Sequence, residues 1–200
     1  AAAVPISGGT ALQAVRDTGE VAPGTRVLIT GASGGVGTFA VPIAKALGAE
    51  VTGVCSGPKM DIVRSIGADH VLDYTRDDFT RSTLRYDVIV DIGGNRSLTR
   101  LRKALSPKGV LVLTGGEEGG PWLGGTDRLL RAVLLSPFVS QRLRSFIASE
   151  DAGYLHSLTE LIESGKLTPV IDTTYPLSEA ANAMRHMVEG RARGKIVITV

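Results

Sequence analysis

Cysteine is nearly absent from the 200-residue sequence: Cys55 stands alone, which excludes an internal disulfide and suits a reducing compartment. Histidine is scarce as well. His70, His156 and His186 lie far apart and have no cysteine or histidine partner at metal-ligand spacing, so no metal site is expected. No apolar run approaches the ~20 residues a membrane helix needs, and no secretory signal is visible. The sequence therefore points to a cytoplasmic protein with no membrane partner. A net charge of +2 is too small to argue for nucleic acid. What is present is 43% hydrophobic and 21% charged residues, the balance of a soluble globular protein. The length suits one domain, or one domain and a piece of another.

The stretch Arg26-Val-Leu-Ile-Thr-Gly-Ala-Ser-Gly-Gly-Val-Gly37 organises the rest. Residues 26–30 form a short β-branched run, as a buried parallel strand does. Residues 31–37 are a glycine-rich turn. From Val36, apolar residues Phe39, Ala40, Ile43, Ala44 and Leu47 recur at helical spacing until Gly48, which predicts a helix. Strand, glycine turn and helix together aim backbone N–H groups and a helix N-terminus at a phosphate. Ser33, Gly34, Gly35 and Val36 are the candidate contacts. Glycine lets a pyrophosphate approach the backbone and lets the helix pack on its strand. The alternative is a βα turn that is merely tight.

Further strands are expected at 50–54, 70–72, 86–91, 110–114 and around 143–147. Helices are expected at 10–19, 58–67, 97–105, 128–135, 151–164 and 176–189, with Thr10 and Ser178 as candidate N-caps. A short extended piece at 170–174 and a strand at 195–200 complete the chain. Strands alternating with helices at this rhythm predict a doubly wound α/β sheet. Residues 1–150 form its dinucleotide-binding domain, with residues 151–200 as a separate C-terminal segment. A glycine-rich loop at 115–125 carries the only tryptophan, Trp122, and is either a surface loop or a lid on a substrate pocket. Arg128, Arg131, Arg142 and Arg144 suit a solvated or interface face.

Charge bears on cofactor choice. NAD-specific sites place an acid after the second strand to accept ribose hydroxyls. Residues 53–57, Gly-Val-Cys-Ser-Gly, contain none. Ser56 can donate to a 2′-phosphate and Lys59 can neutralise it, unless Lys59 is simply an exposed lysine. NADPH is therefore the expected cofactor. Cys55, with no histidine near it in sequence, reads as a small apolar strand-end residue rather than a nucleophile.

The pattern Thr30-Gly-Ala-Ser-Gly-Gly-Val-Gly37 matches the turn of short-chain dehydrogenases, but none of Tyr74, Tyr86, Tyr154 or Tyr175 has the lysine four residues on that those enzymes need. With its flanks, the same pattern resembles the medium-chain dehydrogenase/reductase superfamily, especially its zinc-independent, quinone-oxidoreductase-like branch. Ala11-Leu-Gln-Ala, Ile66-Gly-Ala-Asp69, residues 86–94, 176–183 and 190–198 carry the likeness over nearly the whole chain.

The resemblance implies a six-stranded Rossmann sheet whose C-terminal helix–strand segment returns, in relatives, to an N-terminal GroES-like substrate domain. The likeness starts at the hinge helix, so a longer protein is expected, and this portion alone is expected to be inactive. It implies a reductase of quinones, enones or carbonyls that takes hydride from NADPH and binds no zinc. Tyr74 then joins Lys59 on the phosphate and adenine side. Thr10, Gly93, Thr114, Gly115, Gly116, Phe138 and Val139 are implied at the nicotinamide end, while Lys195 and nearby Arg193 either close over the cofactor or are surface charges. No catalytic residue is evident. Relatives pair sixth strands edge to edge, so a homodimer is expected. A different class of reading is a non-catalytic NADP(H)-binding sensor or interaction module.

Overall fold

A computed structural model of the chain describes residues 1–94, 96–114 and 139–200. The β-branched runs form strands β1 Arg26–Thr30, β2 Glu50–Cys55, β3 His70–Asp73, β4 Tyr86–Asp91, β5 Leu105–Leu113 and β6 Arg142–Ser145. They pair in the order β3-β2-β1-β4-β5-β6, every pair parallel. This is the doubly wound arrangement, and its strand order reverses between β1 and β4. The crevice at such a reversal is where open α/β sheets bind ligands.

Period-2 alternation divides the core into two layers. Val27 and Ile29 of β1 join Val51, Val88, Val90, Val110 and Val112 on one face, beneath α1 Pro5–Leu12, α2 Gly37–Ala46 and α3 Met60–Ser65. Leu28 points to the other face, where Ile89, Leu111 and Leu113 meet Leu98, Leu101 and Ala104 of α4 Leu98–Ala104. Both faces are apolar, so the strands read as nearly continuous hydrophobic runs, as buried parallel strands do.

Helix α5 Ala152–Glu163 is N-capped by Asp151, whose carboxylate accepts the Gly153 N–H at 2.7 Å. Its Leu158 enters the first core against Gly8 of α1. Beyond it, β7 Ile171–Pro176 and β8 Lys195–Thr199 form a separate two-stranded parallel sheet, with α6 Ala180–Val188 between them in sequence. The C-terminal strand thus lies outside the main sheet.

Several expectations need correcting. Thr10 is not an N-cap: α1 begins at Pro5, which is pre-set for a first turn, and the Thr10 hydroxyl donates to the Ile6 carbonyl at 2.8 Å. The helix continues as a π-helical turn, Gln13–Thr18, before Gly19 ends it. Ser178 is not an N-cap either, because a 3₁₀ turn, Leu177–Glu179, precedes α6 without a side-chain cap. The fifth strand starts earlier than 110, because Leu105 pairs with Tyr86 before a register break resumes at Val88 and Val110. The sixth ends at Ser145, and Ile147 is exposed. The expected helix at 128–135 and the loop bearing Trp122 lie outside the described residues, as do Arg128 and Arg131.

Candidate functional site

The glycine turn follows β1 directly, and contacts explain why each glycine is needed. Gly31 takes φ +67°, and a Cβ there would lie 3.1 Å from the Gly93 nitrogen. A Cβ on Gly37 would lie 2.1 Å from the Gly31 carbonyl oxygen, so only glycine lets α2 start this close to its strand. The Ala32 N–H is spent on Val54 and the Gly34 N–H on Gly31. Among the described residues, the N–H groups of Ser33, Gly35 and Val36 have no acceptor. Unfilled donors at a helix start are suited to an anion.

The C-terminal chain crosses this turn. The Gly194 N–H donates to the Ser33 carbonyl at 3.0 Å. Lys195 lies over Gly35, its Cδ 3.3 Å from a Cβ built there, and its ammonium donates to Ser7 Oγ at 2.8 Å. Burial pushes the Lys195 pKa down. A half-buried ammonium with one hydroxyl acceptor and no carboxylate in ion-pair reach, among the described residues, would gain by meeting an anion. Arg193 is exposed and likewise has no ion pair among the described residues.

Lys59 follows β2, where it was expected, but its ammonium donates to the carbonyls of Gly190 and Ala192, both at 2.6 Å. Burial depresses its pKa, and the charge of Arg193 adds to the effect against the opposing pull of Asp172. Lys59 thus ties residues 190–192 to the strand end and keeps one N–H donor in hand. Ser56, extended at φ −82° and ψ 153°, sits beside it. Tyr74 joins them, because its N–H donates to the Cys55 carbonyl; its side chain is exposed. Ser56, Lys59 and Tyr74 therefore share the ends of β2 and β3.

At the other side of the reversal, Gly93 and Thr114 follow β4 and β5. The Gly93 N–H donates to Thr30 Oγ1 at 3.2 Å, and Thr114 Oγ1 donates to the Asp91 carbonyl at 3.3 Å. Thr10 stands one turn from Ser7 on α1, half-buried. Val139 packs against the second core. Gly115, Gly116 and Phe138 lie outside the described residues.

Sequence reasoning missed four polar residues here: Ser7, Thr30, Asp73 and Asp91. The last three each follow an apolar run at the carboxyl end of a strand, which is a readable signal. Asp73 bears directly on the charge argument, since it is an acid beside the β2 turn that arrives from β3. It is buried, and its Oδ1 accepts the Thr75 N–H at 3.0 Å and Thr75 Oγ1 at 2.8 Å. Those hydrogen bonds, led by Thr75, hold its pKa below the ordinary carboxylate value. Thr75 thus holds Oδ1 within the loop that follows β3. Neighbouring Cys55 is buried, and desolvation, assisted by Asp73, pushes its thiol up to about 11. A thiol so shifted is no nucleophile near neutral pH.

Comparison with known proteins agrees with this geometry. A family profile described as "Zinc-binding dehydrogenase" matches residues 66–198. The mouse protein named NAD(P)H oxidoreductase RTN4IP1, mitochondrial, is 37% identical over 220 aligned residues, spanning 100% of this chain and 55% of that protein. A Coxiella burnetii quinone oxidoreductase structure superposes with a TM-score of 0.84 at 29% identity, over 100% of this chain and 60% of that one. A structure titled NAD-dependent alcohol dehydrogenase also gives 0.84, at 28% identity, over 100% of this chain and 58% of that one. The fold and the glycine turn define a doubly wound, dinucleotide-binding type of α/β domain. The chain belongs to the medium-chain dehydrogenase/reductase superfamily and is quinone-oxidoreductase-like. It spans about half the length of the curated relatives it matches. Among the described residues there is no group of three His, Cys, Asp or Glu that could hold a metal ion. No helix among the described residues is long and apolar enough to cross a membrane.

Asp73 should order the loop after β3. Replacing it in Asp73→Ala should speed hydrogen exchange at the Thr75 amide by roughly tenfold, as expected for loss of a charge-assisted hydrogen bond. Asp73→Asn, which keeps an acceptor, should change it less. Unaltered exchange in Asp73→Ala would show that the loop holds itself.

Proposed function

We propose that the chain is the cofactor-binding portion of an NADPH-dependent reductase of quinones, enones or carbonyl compounds. The observation that carries this reading is the glycine turn, whose unfilled N–H groups stand beneath Lys195 while Lys59 and Arg193 flank it without carboxylate partners. Phosphates meet donors and positive charge there, and the adenosine end falls beside Ser56, Lys59 and Tyr74. A bound dihydronicotinamide would supply the hydride; the chain's residues bind, orient and exclude water. Zinc has no part in this proposal, and a cytoplasmic location belongs to it.

Turnover tests the reading. The full-length protein should oxidise NADPH with at least one of a panel of quinones, enones and aldehydes. Binding without turnover on any of them would instead support an NADP(H)-sensing module.

Cofactor preference is tested at Lys59. A charge-assisted contact to a 2′-phosphate is worth roughly 1.5–3 kcal/mol, or about tenfold to a hundredfold in affinity. Two of the three ammonium donors already serve Gly190 and Ala192, so the low end applies. Lys59→Ala should weaken NADPH by about tenfold in calorimetric titration and NADH far less. Equal losses for the two cofactors would assign Lys59 to the fold alone, and a wild-type preference for NADH would defeat the NADPH reading.

The assembly proposed is a homodimer in which β6 strands pair. β6 is the last strand of the sheet order, and an unpaired edge readily recruits another strand. Arg142 and Arg144 are both drawn to Glu20, at 2.7 and 2.6 Å, which tempers the cationic charge of that edge. Light scattering should give the dimer mass, and a monomer at high concentration would overturn the assignment.

A further inference from the structure

The carboxyl ends of β1, β4 and β5 are joined by one polar network. The Thr30 hydroxyl donates to Asp91 Oδ1 at 2.6 Å, and its oxygen accepts the N–H groups of Ile92 at 3.1 Å and Gly93 at 3.2 Å. The Asp91 carbonyl in turn accepts Thr114 Oγ1 and, at 3.4 Å, its N–H. Thr30 and Asp91 are both buried, Asp91 to 1% exposure.

A buried carboxylate and hydroxyl are costly placements beside an apolar pair of the same shape, so the network calls for a reason beyond packing. Strand pairing is not that reason. β1 and β4 are already held by ladder pairs from Val27↔Val88 to Thr30↔Asp91. The Thr30 oxygen acts beyond the ladder, on the two amides that follow β4. It holds them where Gly93 backs onto Gly31, at the point where the strand order reverses.

We propose that Thr30 and Asp91 are positioning residues for the nicotinamide half of the cofactor. Asp91 orients the Thr30 hydroxyl, and the hydroxyl oxygen fixes the backbone of residues 92–93 as the floor of the crevice between β1 and β4. This rests on the dinucleotide reading above. In that reading the adenosine end lies by β2 and β3, the phosphates lie on the turn after β1, and the remaining half extends over β4. The network's hydrogen bonds fix the backbone under that last half, while its contact with the phosphate turn is the packing of Gly93 on Gly31.

The test is titration of the full-length protein, wild type and variants, with NADPH and with adenosine 2′,5′-bisphosphate, which lacks the nicotinamide. Thr30→Val should weaken NADPH by about tenfold or more and leave the bisphosphate within about twofold. Thr30→Ser, which restores the hydroxyl, should recover NADPH binding. Asp91→Asn should fall between them, and it carries the comparison if Thr30→Val fails to fold. Equal losses for both ligands, an unchanged NADPH affinity, or no recovery in Thr30→Ser would each overturn the positioning role. A wild type that binds neither ligand would instead overturn the dinucleotide reading on which it rests.

Discussion

Helix α2 begins within a methyl's width of the strand that feeds it, and the site depends on that approach. A Cβ on Gly37 would fall 2.1 Å from the Gly31 oxygen, far inside any tolerable contact. Backing α2 away from β1 would carry the amides of residues 34–36 with it and open the gap that Lys195 now covers. The same economy recurs one strand over, where a Cβ on Gly53 would meet Val63 of α3 at 2.4 Å. Close packing of helices on the sheet and exposure of backbone donors at its edge are thus one constraint.

Positive charge is handled with care around that edge. Lys59 and Lys195 are both partly withdrawn from water, and both have depressed pKa values. Among the described residues neither forms an ion pair with a carboxylate; carbonyls accept from one and a serine hydroxyl from the other. Carboxylates at the same edge are turned inward, Asp73 onto Thr75 and Asp91 onto Thr30. The edge therefore keeps acids occupied and cations underused, the polarity an anionic ligand requires.

Much of the fold was legible because its signals are local. β-Branched runs, helical spacing and glycine stops placed β1 to β4 and β6 to within a few residues, and the glycine turn with its flanking segments carried the family resemblance. What stayed hidden depends on contacts distant in sequence. Lys59 finds its acceptors more than a hundred residues away, so its tether to residues 190–192 has no trace in the stretch around it. The search for an acid after β2 covered contiguous residues, whereas a parallel sheet brings the end of β3 to the same place and Asp73 with it. Thr10 looked like a cap because Gly8 and Gly9 precede it, yet Pro5 starts the helix earlier. The entry to β5 was misplaced because its register breaks between Tyr86 and Val88.

The cover over the glycine turn comes from the last strand of the chain, and this sets an order on synthesis. Ser7, Gly35 and Lys195 meet at one point, although the ribosome makes the first two long before the third. A nascent chain that has emerged through α6 already contains the strands, the turn and its unfilled amides. It still lacks Gly194 to engage Ser33, Lys195 to close over Gly35, and the carbonyls of residues 190 and 192 that tether Lys59. The phosphate groove is therefore open-topped until β8 has emerged, and its completion coincides with the pairing of β8 on β7.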